Sequence, residues 1–256
     1  MYADYETPMI RASVFYYDKI YTEETAEAVV DCLTRNSLFP PQRIRATHIK
    51  PSKDRYTKAQ AEMADFLKTA HTEKDVLVIS WKNVDSVRRK EYLDVSWTLT
   101  YFKLSEIVGP GTFEAWNVLS FNATYGWINK EHNRLNLFNC IHELVPILHP
   151  FNIQIDDLAN SVDLVGIVDY GPHLKGTAPP EPGPRHLHTS PIYWGNYWGS
   201  DICNLYDVSK LSELPVKNLK ELNGGVFFTL TDHVMEFDTS ECKMVRSMIN
   251  REILHK

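Results

Sequence analysis

The 256-residue sequence has no run of about 18 consecutive apolar residues, so it predicts no membrane-spanning helix. Its first residues are acidic and lack an apolar stretch followed by a cleavage site, so we expect no secretory signal. Cysteine is scarce, with four in all, and no Cys-x-x-Cys motif occurs. Such widely spaced cysteines suit buried thiols in a reducing compartment better than a disulfide framework or a zinc site. We therefore expect a cytoplasmic protein.

Short motifs that carry catalysis are also missing. Gly109-Pro110-Gly111 lacks the Lys and the Ser or Thr of a phosphate-binding loop, and no Gly-x-Ser-x-Gly nucleophile elbow occurs. The position four residues after His142 is Pro146, so the zinc-protease helix motif is absent as well. The sequence therefore indicates a binding protein rather than an enzyme, and we expect no catalytic residues and no cofactor.

One group of residues supplies an alternative chemistry. His186 and His188 lie on the same side of an extended segment and form half of a metal site. Asp169 or His173 completes the ligand set only if the proline-rich loop between them folds back. We predict no bound metal, and we keep as the alternative a metal-dependent hydrolase or a nucleotide-modifying enzyme that uses these four residues.

The charge is modest overall and uneven along the chain. The formal net charge is −6, which argues against a general nucleic-acid-binding protein because such proteins carry basic patches. Residues 1–110 hold 16 basic and 16 acidic residues, whereas residues 111–256 hold 11 and 17. An acidic C-terminal half favours a basic partner, since complementary potential speeds association.

Apolar spacing predicts interspersed helices and strands. The predicted helices cover 23–35, 58–70, 131–149 and 240–254. The predicted strands lie within 10–20 and over 43–50, 75–81, 92–103, 115–127, 164–170, 216–222 and 226–231. Thr22 is expected to cap the first helix and Asp238 or Thr239 the last, and Pro146 is expected to kink or shorten the third.

These elements predict an α+β fold, with helices packed on antiparallel or mixed sheets. We expect an N-terminal α+β subdomain over 1–110 and a C-terminal one over 111–256. The two are either similar halves or parts of one continuous domain.

The segment 193–199 is the most unusual stretch of the sequence, because four aromatic residues and two glycines fall within seven positions. Aromatic rings dominate core burial, so we interpret the segment as core packing around a close backbone approach or a bulge. Further along, Gly224-Gly225 follows Asn223 between two β-type runs, which predicts a hairpin. The residues assigned this structural role are Tyr193, Trp194, Gly195, Asn196, Trp198, Gly199, Gly224 and Gly225.

The C-terminal third places these features in a recognisable order. The aromatic segment is followed by Leu205 in a short helix, by Pro215 before a strand, by the Gly-Gly turn, and by Asp238 before a terminal helix. This order resembles that of the bacterial immunity protein 52 family, which belongs to polymorphic-toxin and type VI secretion systems.

The resemblance implies a non-enzymatic cytoplasmic protein that neutralises a cognate toxin effector, a nuclease, by stoichiometric occlusion. From the absence of a long apolar run and from the net charge, we expect no contact with a membrane and no direct binding of nucleic acid. Polar loops carry binding more often than packed strands do, so we expect the partner at the proline-rich loop around 172–191. The predicted partner-binding residues are Asp169, Tyr170, His173, Glu181, Arg185 and His186.

Overall fold

The computed structural model describes residues 9–16, 23–36, 38, 44–50, 53–57, 76–81, 95–101, 117–157 and 192–254. The chain divides into two compact units, Met1–Lys103 with Trp116–Pro150 and Leu104–Ala115 with Phe151–Lys256. The predicted subdomain boundary near residue 110 lies outside the described residues and stays a prediction. Within the described ranges, no helix combines the length and apolar character needed to cross a membrane.

The first unit contains a six-stranded sheet. Its strands are β1 (Met9–Tyr16), β2 (Ile44–Lys50), β3 (Lys53–Thr57), β4 (Val76–Trp81), β5 (Val95–Tyr101) and β6 (Asn117–Thr124). The strands lie in the order β3-β2-β4-β5-β6-β1, and each neighbouring pair is antiparallel. The predicted α+β class is confirmed.

Among the described residues, three helices accompany this sheet, namely α1 (Glu23–Arg35), α2 (Tyr125–Ile128) and α3 (Glu131–Leu148). The bounds of α1 agree with the prediction. Pro146 lies inside the last turn of α3, and the helix runs two residues further before His149 takes a left-handed φ of 45°. The His149 amide then donates to the carbonyl of Val145, which satisfies one of the terminal carbonyls.

The predicted strand over 115–127 is too long. The chain leaves the sheet after Thr124 because the side chain of Thr124 accepts the amide of Trp127 at 3.3 Å and caps α2. Strand β3 was not predicted, and the predicted helix over 58–70 and strand over 164–170 lie outside the described residues.

The core of the first unit is built from one face of its strands and from the facing sides of its helices. Alternate residues of β1 and β6 are buried, while their neighbours pair across the strands, as in the 2.9 Å bond from Arg11 Nε to Asn122 Oδ1. The buried apolar residues of these strands are Ile10, Ala12, Val14, Tyr16, Leu119, Phe121 and Ala123. Cys32 of α1 meets Cys140 of α3 with sulfurs 3.7 Å apart. That separation fits two buried thiols and is too long for a disulfide.

The second unit contains four strands, β7 (Asn152–Asp157), β8 (Gly195–Trp198), β9 (Lys217–Leu222) and β10 (Gly225–Thr229). They lie in the order β7-β8-β10-β9 and each neighbouring pair is antiparallel. The described part of this unit also holds two α-helices, α4 (Ser200–Cys203) between β8 and β9 and α5 (Ser240–Ile249) after β10, with 3₁₀ turns at Val208–Glu213 and Val234–Glu236.

The predicted hairpin is confirmed as the β9–β10 pair. Asn223 and Gly224 take φ values of 47° and 77°, the left-handed conformations that the turn requires. A bulge interrupts the pairing, and Asn218 takes a positive φ of 51° within it. Because β9 carries a bulge and charged residues, its outer edge is poorly suited to pair with another strand.

The last helix begins as predicted, because the Thr239 side chain accepts the amide of Cys242 at 3.3 Å. Its α-helical part is shorter than predicted. It ends at Ile249 and continues as a π-helical turn over Asn250–Leu254.

Candidate binding surface

The residues predicted to contact a partner lie outside the described part of the chain, as do the four residues of the alternative chemistry. They are Asp169, Tyr170, His173, Glu181, Arg185, His186 and His188. Among the residues that the structure does describe, no three His, Cys, Asp or Glu side chains come together in a way that could hold a metal ion.

The aromatic segment 193–199 lies within the packed interior of the second unit. Trp194 and Trp198 are each 1% exposed, and every residue of β8 is buried. The Trp198 ring meets Phe228 of β10 edge to face, with centroids 5.0 Å apart and an interplanar angle of 84°. Such contacts add to the free energy gained by burying the rings.

Most of the polar atoms in this segment have partners inside the unit. The Asn196 amide accepts from the Tyr193 backbone N–H at 3.0 Å and donates to the Tyr193 carbonyl at 2.9 Å. The Trp194 indole donates to Thr231 Oγ1 at 2.8 Å, and the Tyr197 hydroxyl donates to the Leu222 carbonyl at 3.1 Å. Asn196 therefore closes the bend that leads into β8.

Gly225 explains the close backbone approach expected for this region. A Cβ atom at Gly225 would lie 2.4 Å from the carbonyl oxygen of Trp198 and 2.5 Å from the hydroxyl of Tyr197. At Gly195, a Cβ atom would meet the side chain of Ile155 at 3.0 Å. The hairpin and the aromatic strand can pack at this distance only because these positions carry no side chain.

A buried charge lies beside this segment. Asp156 of β7 is 4% exposed, and its carboxylate accepts the amide of Asp157 at 2.7 Å. Arg246 of α5 brings one guanidinium nitrogen to 3.9 Å from that carboxylate. The Tyr193 hydroxyl is buried without a hydrogen-bond partner. Burial, with the Asp156 charge as the second cause, raises the pKa of Tyr193 well above its ordinary value.

Cys242 lies one turn before Arg246 on the buried side of α5. Burial raises the pKa of this thiol to about 11, although the Arg246 cation opposes that effect. The thiol therefore stays protonated and poorly nucleophilic at neutral pH.

The outer face of α5 has a different character. A surface depression of about 460 Å³ lies along it, and five side chains line it within the described part of the chain. We call them the donor stripe: Lys243, Arg246, Ser247, Asn250 and Arg251. Their spacing is i, i+3, i+4, i+7 and i+8, which places them on one face of the helix and the turn that continues it.

Arg246 lies at the centre of the donor stripe, and its side chain is 29% exposed. Its Nε is buried without a partner, and its guanidinium donates no hydrogen bond to any residue that the structure describes. Lys243 and Arg251 have partners outside the depression, namely Asp238 at 2.6 Å and Glu252 at 2.7 Å. The stripe therefore presents planar guanidinium donors that suit an anionic group.

Sequence analysis missed the donor stripe, although its signal was present. The last helix was read for its apolar side, and the same helical spacing applied to polar residues selects these five positions. The burial of Arg246 Nε and its distance from Asp156 could not be obtained in this way, because they depend on how α5 packs beside β7.

Comparisons with known proteins establish a fold and no family. No protein-family model matches the chain, and no curated protein matches it. Among solved structures, the Pseudomonas aeruginosa T6SS protein PA0821 is similar, with a TM-score of 0.57 and 12% identity over 88% of this chain. The chain spans 66% of the length of that protein. The resemblance to the immunity protein 52 family therefore stays a prediction.

Proposed function

We propose that this protein is an immunity protein of a type VI secretion system, which binds a cognate toxin effector and neutralises it by stoichiometric occlusion. The observation that carries the proposal is the fold shared with a protein of such a system. The order of motifs in the C-terminal third supports it independently, because that order resembles an immunity family.

The charge distribution supports a nuclease as the toxin. An enzyme that cuts nucleic acid needs a basic surface to hold the phosphate backbone. The acidic residues of 111–256 outnumber the basic ones by 17 to 11, so this half can cover such a surface with complementary potential. A standard interface of this kind buries on the order of 1,600 Å² in total.

Exposed apolar side chains support a contact surface on the second unit. Five large apolar side chains are exposed among the described residues, and only Leu135 belongs to the first unit. The others are Leu205, Leu219, Met235 and Met244. Methionine is over-used at protein interfaces because its flexible, polarisable side chain adapts to the partner.

The test is co-expression with the larger toxin gene that we expect beside the gene for this protein. Size-exclusion chromatography should show one complex with equal amounts of the two chains. In a growth assay, protection should rise with the amount of this protein and saturate near one equivalent of toxin.

Two results would contradict the proposal in different ways. Separate elution of the two chains would remove the binding step altogether. Full protection at far below one equivalent would instead point to an enzymatic antidote, because one molecule would then have to inactivate many toxins.

A further inference from the structure

We propose that the donor stripe of α5 binds an acidic, carboxylate-bearing segment of a partner protein. The inference rests on the proposed function in one respect, namely that the partner is the toxin. The recognition itself follows from the side chains of the stripe and the depression that they line.

Arg246 lies at the centre of the stripe, and its Nε has no hydrogen-bond partner among the described residues. A buried donor without a partner is unfavourable, because it has lost its hydrogen bonds to water. Arg246 Nε is such a donor, and the carboxylate of Asp156 stands 3.9 Å from the guanidinium, beyond hydrogen-bond distance. The Arg246 side chain is 29% exposed, so a carboxylate that enters the depression can accept hydrogen bonds from the part of the guanidinium that is not buried, while Nε itself stays covered.

The other side chains of the stripe fit the same ligand. Ser247 and Asn250 add neutral donors next to Arg246. Lys243 and Arg251 at the two ends are in exposed ion pairs with Asp238 and Glu252, and such pairs are weak enough to open when a ligand competes for the cation. The depression is only about 460 Å³, which suits one or two side chains of a partner rather than a whole folded element.

The overall charge favours a protein over a nucleic acid as the source of the anion. The chain carries a formal net charge of −6, which disfavours a long polyanionic strand more than a short acidic segment of a protein. A protein segment with a few carboxylates on an otherwise basic surface can match both the stripe and the acidic residues around it. Such alternating charge also fixes the orientation of the complex.

Met244 supplies an apolar rim to the stripe. It is 53% exposed and follows Lys243 directly in α5, three residues before Ser247. An exposed methionine beside arginines is the composition expected of a protein interface, in which Met and Arg are enriched.

The first experiment titrates the full chain with hexaglutamate at low ionic strength, with the Arg246 Nε–H resonance and calorimetry as readouts. We expect saturable binding that shifts this resonance and weakens as salt is added. Ser247→Glu puts a carboxylate within reach of Lys243 and Arg251 at i−4 and i+4, so it should weaken binding on the order of tenfold.

Ser247→Gln is the matched control, because it has the same shape as Ser247→Glu and no charge. It should bind hexaglutamate within about threefold of the wild type, since Ser247 is exposed and the positive charges of the stripe are unchanged. Equal binding by the two variants, or no binding of hexaglutamate by the wild type, would overturn the proposal. A single-stranded oligonucleotide that bound more tightly than hexaglutamate and was sensitive to Ser247→Glu would reassign the stripe to nucleic acid.

The second experiment repeats the two variants in the complex with the toxin. Weaker binding of Ser247→Glu alone supports the stripe as a toxin contact. A toxin complex that is indifferent to Ser247→Glu leaves the proposed function standing and removes the stripe from the interface. Hexaglutamate binding without any toxin complex has the opposite meaning, because the proposed function then fails while the recognition of acidic groups holds.

Discussion

Two regions of the second unit differ in how far their polar side chains are hydrogen-bonded within the unit. In the aromatic segment 193–199 the rings are buried, and the Asn196 amide and Trp194 indole are bonded within the unit. In the donor stripe the side chains line an open depression, and the central guanidinium donates to no described residue. The first region therefore stabilises the fold, while the second leaves the Arg246 guanidinium without a hydrogen-bond acceptor among the described residues.

The two regions meet at Asp156. On one side, burial and then the charge of Asp156 raise the pKa of Tyr193, and on the other side the carboxylate attracts Arg246. A ligand that binds the guanidinium would compete with Asp156 for the same cation. The contrast predicts that substitutions in the aromatic segment act on stability, whereas exposed substitutions in the stripe act on binding.

The largest effect is expected for Trp198→Ala. The ring is 1% exposed and packs against Phe228, so its removal leaves a cavity that should lower the free energy of unfolding by about 3–5 kcal/mol. Leu205→Ala is the control. Leu205 is 47% exposed, and its loss should change stability by less than about 0.5 kcal/mol. Denaturant unfolding measures both. A stable Trp198→Ala protein that had lost only partner binding would move this ring from the core to the interface.

A smaller loss is expected for Gly225→Ala. The added Cβ would fall 2.4 Å from the Trp198 carbonyl oxygen, and backbone cannot move aside as cheaply as a flexible side chain. Overpacking of this kind should lower the free energy of unfolding by about 1–3 kcal/mol. Gly126→Ala is the matched control, because Gly126 is exposed in α2 with nothing within 4 Å of the new Cβ. It should be neutral or stabilise by up to about 1 kcal/mol. Equal stability of the two variants would refute the close approach at Gly225.

Local chemistry explains which elements the sequence predicts. Helix α1 and the β9–β10 hairpin are specified by apolar spacing and by Asn223-Gly224, so they are found within one or two residues of their predicted bounds. The predicted end of β6 is wrong, because a single hydrogen bond from the Trp127 amide to the Thr124 side chain ends the strand and begins α2. Strand β3 was not predicted because Lys53–Thr57 has no alternation of apolar and polar residues. The strand forms through its antiparallel pairing with β2.

The candidate surface is less predictable, for a different reason. The helical face of Lys243, Ser247 and Arg251 can be derived from spacing alone. The unsatisfied Arg246 Nε arises from tertiary packing between distant parts of the second unit, which no local pattern encodes. Likewise, the bonds between Asn196 and the Tyr193 backbone require a bend that residue spacing on a strand does not suggest.

The smallest effect is expected for Tyr193→Phe, where the two regions meet. The Tyr193 hydroxyl is buried without a partner among the described residues, so removing this unfavourable group should stabilise the fold by roughly 1 kcal/mol.

The pH dependence of stability gives a second readout for Tyr193→Phe. In the unfolded chain this tyrosine ionises near its ordinary pKa of 10.0, whereas in the fold its pKa is higher, because burial and the Asp156 charge disfavour the phenolate. The unfolded state therefore binds fewer protons above pH 10.0, and the stability present below that pH is lost as pH rises. Tyr193→Phe should flatten this alkaline decline in denaturant unfolding between about pH 9 and pH 11. Tyr206→Phe is the comparison, since that ring is only part-buried and its pKa is raised by burial alone. If Tyr193→Phe destabilised the protein and left the alkaline decline unchanged, the hydroxyl would have to be bonded, and the boundary between the two regions would lie elsewhere.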